Sequence, residues 1–212
     1  MIQLKDRLAH KKHVVWDWNG TLLNDVDAVL GAIGDLLEGH GLARVDRDQY
    51  RAVFGFPILE YYKKLGFDFE KESFEVLSER FVAHYAARAS ECALHSGSQD
   101  LFGALDKIGI VQSVLSAAHE PHLLRQLEHY GIRGHFRNVF GLSDHYAASK
   151  VARGKQLLDV CGFAAADTIL VGDTDHDLEV GQELGIDVLL LADGHQSYER
   201  LRGLHHNVLE RR

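Results

Sequence analysis

Short apolar runs alternate with helical patterns along most of the chain. The runs have the length of β-strands and occupy residues 14–16, 111–115, 168–171 and 188–191, with a weaker one at 138–140. Between them, apolar residues recur at helical spacing in segments that stop at Gly131 and Gly162, and glycine is a common helix stop. Uninterrupted apolar strands are typical of parallel sheets that are covered on both faces. The alternation therefore predicts an α/β fold with a doubly wound, Rossmann-like parallel sheet.

A different pattern occupies residues 25–93, where the strand signal disappears. Apolar residues recur there at intervals of three and four, as in Val29, Ile33 and Leu36, and this spacing is typical of amphipathic helices. Asp46 followed by Gln49 predicts a capping box at the start of a further helix. We therefore expect a helical domain of residues 24–93, inserted into an α/β core domain formed by residues 1–23 and 94–212.

Composition and charge limit which binding partners and which cellular location we expect for this protein. The chain has 23 lysines and arginines against 31 aspartates and glutamates, and its formal net charge of −8 argues against a protein that binds nucleic acid by neutralising phosphates. No uninterrupted apolar run approaches the roughly 18 residues of a membrane span, and residues 1–12 lack the apolar core of a secretory signal. Two cysteines in unrelated contexts indicate neither disulfides nor a metal pair. We expect a cytoplasmic monomer or homodimer without nucleic-acid or membrane partners.

Polar residues follow three of the predicted strands. Asp17, Ser116 and Asp173 each come where an apolar run ends, and ligands of open α/β sheets bind beyond the carboxyl ends of strands. Asp173, Asp175 and Asp177 offer carboxylates at alternate positions, and such hard oxygen ligands suit Mg²⁺ better than zinc. An aspartate is already ionised at neutral pH and can attack phosphorus to form an acyl phosphate. The pattern predicts magnesium-dependent phosphoryl chemistry at this edge of the sheet.

Four segments in order resemble the four motifs of the haloacid dehalogenase-like superfamily: Asp17-Trp18-Asn19-Gly20-Thr21, Ser116, Lys150, and Gly172-Asp173 through Asp177. The helical insertion after the first motif resembles the phosphoglycolate phosphatase-like branch, in which it forms a mobile cap. The resemblance spans most of the chain. It implies a phosphatase-type hydrolase that uses Mg²⁺ and an aspartyl phosphate to hydrolyse a small phosphorylated metabolite.

The resemblance also implies roles for individual residues. It makes Asp17 the nucleophile and a Mg²⁺ ligand, together with the main-chain carbonyl of Asn19 and with Asp173, and it makes Asp177 a supporting acid near the metal. A lysine is expected to pair with Asp17. Lys150 is preferred because it lies just before a helical pattern, where family lysines occupy a loop. The alternative Lys155 falls inside the helix.

Further residues are expected to contact the substrate. The phosphoryl group is expected to meet Ser116, the backbone amide of Ala117, and a turn shaped by Asn19, Gly20 and Thr21. Arg51, Phe54 and Gly55 stand near a break between two helices of the insertion, which resembles the family's substrate-contacting loop. The competing interpretation is that Arg51 is an exposed helix residue and Phe54 only seals the cap.

One position departs from the family pattern. Phosphatases of the superfamily usually have aspartate two residues after the nucleophile, where this sequence has Asn19. Asparagine cannot transfer a proton, and general acid–base catalysis typically contributes about 10²–10⁴-fold to a rate. We therefore expect slow or leaving-group-selective hydrolysis. His176 is a candidate substitute base, although a solvent-facing histidine is the commoner outcome.

Two alternatives remain open at this point. The Asp-Trp-x-Gly-Thr segment also resembles phosphonoacetaldehyde hydrolases, which cleave a C–P bond through a Schiff base on a cap lysine. Lys63 and Lys64 are the nearest lysines, but they come several residues late. The other alternative is a phosphate-binding or regulatory protein with weakened catalysis, which Asn19 keeps open.

Overall fold

The computed structural model describes residues 2–142 and 149–210. Its main sheet has six strands: β1 (His13–Trp16), β4 (Val111–His119), β5 (Asn138–Leu142), β6 (Thr168–Gly172), β7 (Asp187–Leu191) and β8 (Val208–Leu209). Their order is β5-β4-β1-β6-β7-β8, and every neighbouring pair is parallel. The predicted doubly wound parallel sheet is confirmed. Among the described helices, none has both the length and the apolarity that a membrane span requires.

Helices cover both faces of this sheet. They are α1 (Ile2–Leu8), α6 (Ser98–Lys107), α7 (Glu120–His129), α8 (Lys150–Cys161), α9 (Asp175–Leu184) and α10 (Tyr198–Leu204). Successive side chains of a strand point to opposite faces. Trp16 of β1 accordingly packs in one apolar cluster with Phe102 of α6, while its neighbour Val15 packs in another with Leu157 of α8. Burial of β1 on both faces explains its uninterrupted apolar sequence.

The insertion consists of four helices with an apolar cluster of their own. They are α2 (Val26–Gly39), α3 (Arg47–Val53), α4 (Ile58–Leu65) and α5 (Phe74–Ala89). The predicted capping box is present, because the Asp46 side chain accepts from the Gln49 amide and the Gln49 side chain accepts from the Asp46 amide. A short antiparallel pair, β2 (Leu23–Asn24) and β3 (Ala93–Leu94), joins the two ends of the insertion. The division into two domains at these residues stays a prediction.

Two strands differ from their sequence pattern. β4 does not end at Ser116 but continues to His119, with an irregular register against β5 after Leu115. The small and polar residues of this extension hide its strand character, since they lack the apolar signal of a buried strand. β8 gives no usable pattern because it has only two residues, and its place at the sheet edge comes from pairing with β7.

Candidate active site

Strand order brings the sequence-predicted residues together. β1 lies between β4 and β6, so Asp17, which follows β1, has Ser116 of β4 on one side and Asp173, which follows β6, on the other. These three side chains line one cavity of about 670 Å³, together with Ala117, Lys150 and Asp177. The cavity opens at the carboxyl edge of the sheet and is bounded on its far side by the helical insertion.

A buried lysine joins two of the carboxylates. Nζ of Lys150 donates to Oδ1 of Asp17 at 2.5 Å and to Oδ1 of Asp177 at 2.6 Å. Lys150 is the first residue of α8, capped by Ser149, and so does not lie in a loop as the sequence suggested. A helix start serves equally well, because it directs the side chain back toward the strand ends. Lys155 lies one turn further on and is exposed.

A third carboxylate, that of Asp173, lies close to the two that Lys150 contacts. Oxygens of Asp17, Asp173 and Asp177 lie within 4.8 Å of one another. Burial raises the pKa of Asp17 to about 7 against the opposing charge of Lys150, and burial also raises the pKa of Asp173. Negative charge is therefore crowded and incompletely neutralised. Hard oxygen donors in such a cluster fit a divalent cation of the Mg²⁺ kind.

Asp177 is held differently from the other two acids. Its Oδ2 accepts from the Thr174 hydroxyl at 2.8 Å and from the main-chain amides of Asp173 and Thr174, while its Oδ1 accepts from Lys150. Burial acts to raise the pKa of Asp177, but Lys150 and these hydrogen bonds outweigh it and leave the pKa below its usual range. Asp177 is thus an ionised group that fixes Lys150 and the start of α9, which suits a supporting position beside the metal.

Glycines let the first motif approach Asp173 closely. Gly20 has a left-handed backbone, with φ of 72°, and a Cβ there would clash with the Asp173 carboxylate. The hydroxyl of Thr21 donates to Oδ1 of Asp173 at 2.8 Å, and the amide of His195 donates to Oδ2 at 2.6 Å. Thr21 is fully buried, so its hydroxyl orients the acid and does not face the cavity.

A polar network that sequence reasoning missed surrounds Asn19. Nδ2 of Asn19 donates to Oδ2 of Asp25 at 2.7 Å and to the Tyr85 hydroxyl oxygen at 2.9 Å, and the Tyr85 hydroxyl donates to Oδ2 of Asp25. The Gly20 amide donates to Oδ1 of the same carboxylate. An aspartate at position 19 would face the buried Asp25 carboxylate with like charge. The asparagine amide removes this repulsion, which is a physical reason for the departure from the family pattern.

His195 completes this network. Its Nε2 lies 3.3 Å from Oδ1 of Asp25, and its Nδ1 forms a 2.8 Å hydrogen bond with the Tyr50 hydroxyl. Burial acts to lower the pKa of His195, but the hydrogen bond and charge of Asp25, with the charges of Asp173 and Asp17, raise it to about 9. A charged His195 therefore adds a second cation beside the acids. The sequence signal that could have identified His195 is its position shortly after β7, at the carboxyl edge of the sheet where the other polar site residues lie.

The residues predicted to contact substrate divide into two groups. Phe54 lines the cavity and packs against His195. Arg51 does not line it, because its guanidinium donates to the main-chain carbonyls of Gly194 and Asp193 at 2.9 and 2.8 Å. Gly55 is also outside the cavity lining and faces Arg200. The structure thus assigns Arg51 to docking of the insertion on the loop after β7, in place of the substrate contact that its position suggested.

Three other residues singled out in the sequence are His176, Lys63 and Lys64. His176 lines the cavity, with its ring 4.7 Å from that of Phe56 and its Nδ1 3.4 Å from the Glu179 carboxylate. Lys63 pairs with Glu60 on the surface, and Lys64 is exposed. Neither lysine belongs to the cavity lining, so a Schiff base with a substrate in this cavity is disfavoured.

Comparison with known proteins agrees with this architecture. The chain is 27% identical over 190 residues to the tyrosine-protein kinase PtkA of Mycobacterium tuberculosis, covering 86% of this chain and 62% of that protein. It thus spans less than two thirds of that relative. It is 26% identical over 195 residues to a phosphoglycolate phosphatase of Rhodospirillum rubrum, covering 87% of this chain and 80% of that enzyme.

The fold also has solved counterparts. A hydrolase of the haloacid dehalogenase-like family from Streptococcus pneumoniae superposes with a TM-score of 0.81 over 96% of this chain and 95% of that one, at 19% identity. The profile of the haloacid dehalogenase-like hydrolases matches residues 14–191. Because this match runs from the first predicted strand to the end of β7, the chain belongs to the haloacid dehalogenase-like hydrolase family, as its four ordered motifs predict.

Proposed function

We propose that this protein is a magnesium-dependent phosphatase that hydrolyses a small phosphorylated molecule through an aspartyl phosphate on Asp17. The observation that carries the proposal is the contact of Lys150 with Asp17 and Asp177 at the inner end of a cavity large enough for a small ligand. The name of the Rhodospirillum rubrum relative, a phosphoglycolate phosphatase, supports the same reaction class.

The residues of the site supply the steps of this reaction. Lys150 acts to lower the pKa of Asp17 against the effect of burial, and in this buried, weakly screened environment it would also offset the charge of an incoming phosphoryl group. Ser116 and the amide of Ala117, which line the cavity with Asp17, would hold phosphoryl oxygens. A bound Mg²⁺, held by Asp17, Asp173 and the Asn19 carbonyl, would neutralise the charge that develops on the transferred group. Water then attacks the phosphorus of the aspartyl phosphate and releases inorganic phosphate.

Asn19 governs which esters react well. Its side chain is occupied by Asp25 and Tyr85 and carries no transferable proton, so the leaving oxygen must depart without a carboxylic acid to protonate it. The missing acid is worth about 10²–10⁴-fold for a poor leaving group. Acyl phosphates and aryl phosphates need this help least. Turnover should therefore fall steeply as the leaving group becomes more basic.

The direct test is phosphate release with and without Mg²⁺. A panel of acetyl phosphate, aryl phosphates and alkyl phosphates should show Mg²⁺-dependent release that EDTA removes and that Asp17→Asn lacks. Phosphate binding without release across the panel would favour the rival interpretation, a binding or regulatory protein. Covalent trapping of a phosphonoaldehyde by borohydride on Lys63 or Lys64 would favour C–P cleavage instead.

Metal binding should release protons. Since burial raises the pKa of Asp17 to about 7, this group is partly protonated in mildly acidic buffer without metal, and a divalent cation requires the carboxylate form. We expect Mg²⁺ affinity to rise as pH increases toward and through that pKa. Titration calorimetry in two buffers of different ionisation enthalpy measures the protons released. Identical heats in both buffers below that pKa would contradict the expectation.

Gly20→Ala should weaken the enzyme more than a comparable glycine change. A left-handed alanine costs about 1–2 kcal/mol of stability, and at Gly20 the new methyl group would also push Asp173 out of place. Gly41 is the matched control, with φ of 69° and no atom near its added Cβ. In thermal unfolding we expect Gly41→Ala to lose only the backbone cost and Gly20→Ala to lose more, because of the added clash. Only Gly20→Ala should lower Mg²⁺-dependent turnover, by about 10²-fold. Equal activities of the two variants would contradict this role of Gly20.

A further inference from the structure

The insertion lines its side of the cavity almost entirely with apolar and aromatic groups. Eight aromatic rings of the insertion line the cavity that contains Asp17 and Ser116, and they belong to Tyr50, Phe54, Phe56, Tyr61, Tyr62, Phe74, Phe81 and Tyr85. Successive rings pack at the angles that aromatic pairs prefer, as with Phe54 and Tyr61, whose centroids are 5.2 Å apart and whose planes lie at 76°. A flat apolar group entering this space would find rings on several sides.

The described residues on the insertion's side of the cavity offer no cation to a second anionic group. Among the described lining residues, Lys150 is the only lysine or arginine, and both acids that it contacts are buried with it. The insertion's one charged lining residue, Asp25, is negative and already paired with His195. Any further positive charge among the described lining residues belongs to histidines of the core, His119, His122, His176 and His195, and His195 is already paired with Asp25. A carboxylate or second phosphate held against the insertion would therefore lose its hydration without gaining a cation. The cavity therefore disfavours substrates with a charged body.

An independent observation concerns the bond that breaks. Asn19 cannot protonate the leaving oxygen, because its amide only donates to Asp25 and Tyr85. Phenols are far stronger acids than alkyl alcohols, with a pKa of about 10 in tyrosine, so a phenolate departs without this proton. Asn19 therefore favours a phenol as the leaving group, and the lining of the insertion favours the aromatic ring that a phenol carries.

We propose that the substrates are small phosphate monoesters of phenols, with the ring held by the aromatic groups of the insertion. The proposal rests on the proposed phosphatase function. An Asp17 oxygen forms the new bond to phosphorus, and the bond between phosphorus and the phenol oxygen breaks. The phenolate leaves with that electron pair and takes a proton from water. A second water then attacks the phosphorus, giving inorganic phosphate and a proton and restoring the Asp17 carboxylate.

Four compounds separate ring recognition from leaving-group chemistry. Phenyl phosphate has a ring and a phenol leaving group, benzyl phosphate has a ring and a poor leaving group, acetyl phosphate has a good leaving group without a ring, and glycerol phosphate has neither. We expect phenyl phosphate to have the highest kcat/KM. Benzyl phosphate should be a competitive inhibitor that is hydrolysed slowly. Acetyl phosphate should be hydrolysed with a KM at least about tenfold above that of phenyl phosphate.

A pair of phenylalanine variants tests the position of the ring. Phe81 and Phe69 are both half-buried and pack against the same apolar cluster of the insertion, but only Phe81 lines the cavity. Phe81→Leu should raise the KM for phenyl phosphate about threefold to tenfold, the size of one aromatic contact, and leave the KM for acetyl phosphate unchanged. Phe69→Leu should change neither constant. Thermal unfolding of both variants identifies any general loss of structure.

The possible outcomes distinguish failure of the aryl-substrate proposal from failure of the proposed phosphatase function. If none of the four compounds, acetyl phosphate included, is hydrolysed, the phosphatase function itself fails. If acetyl phosphate is hydrolysed but phenyl and benzyl phosphate bind no better than glycerol phosphate, the phosphatase stands and the aryl proposal is overturned. Hydrolysis of a phosphotyrosine peptide with a much lower KM than phenyl phosphate would overturn the choice of a small molecule in favour of a protein substrate.

Discussion

Asp17→Asn is expected to abolish Mg²⁺-dependent phosphate release, with a loss of about 10⁴-fold or more in kcat. The amide that replaces the carboxylate has no charged oxygen to attack phosphorus and is a poor metal ligand. Lys150 keeps its second partner, Asp177, so the variant should fold. Phosphate release from acetyl phosphate at saturating Mg²⁺ measures the loss. Acid-stable incorporation of phosphate at another residue would contradict the assignment of the nucleophile.

The same variant should be at least as stable as the parent without metal. Burial raises the pKa of Asp17, so the folded protein binds this proton more tightly than the unfolded chain, and ionisation of Asp17 costs stability as pH rises through about 7. Asparagine removes that cost. Above this pKa, the thermal midpoint of metal-free Asp17→Asn should equal or exceed that of the parent. Asp159→Asn, an exposed acid on α8, is the control and should alter neither activity nor stability.

Lys150→Met should lose both activity and stability. The change keeps a long side chain but leaves Asp17 and Asp177 buried without their shared cation, and breaking a buried ion pair in this way costs about 3–5 kcal/mol. Urea unfolding at neutral pH measures this loss. The loss of stability should become smaller as pH falls through about 7, because protonation of Asp17 removes one of the two negative charges that Lys150 neutralises. Added Mg²⁺ should recover part of the stability but not the turnover.

Lys155→Met is the matched control for this change. Lys155 lies on the same helix five residues later and is exposed, so its replacement should change stability by less than about 0.5 kcal/mol and leave turnover intact. The two variants also decide between the two lysines that the sequence offered. Full activity in Lys150→Met together with lost activity in Lys155→Met would reverse the assignment.

The sequence by itself determined the α/β core and the position of its reacting edge. Each strand of the core except β8 contains a short apolar run, because burial in the sheet favours apolar side chains, and Asp17 and Asp173 mark where two of these strands stop. The capping box at Asp46 could also be predicted from the sequence, since it depends on two residues that are three positions apart. The strands and the capping box depend on residues that are close together in the sequence, so the spacing of those residues predicts them.

Only the tertiary structure decided which distant groups meet at that edge. The sequence favoured Lys150 over Lys155 only through its position before a helical pattern, and it is the start of α8 in the folded protein that puts the Lys150 ammonium group beside Asp17. The pairing of Asp25 with His195, and of Arg51 with the carbonyls after β7, joins segments far apart along the chain. These contacts depend on how the insertion packs on the core, and no periodicity encodes that packing. The reason for Asn19, a carboxylate facing it from Asp25, therefore became visible only in the folded protein.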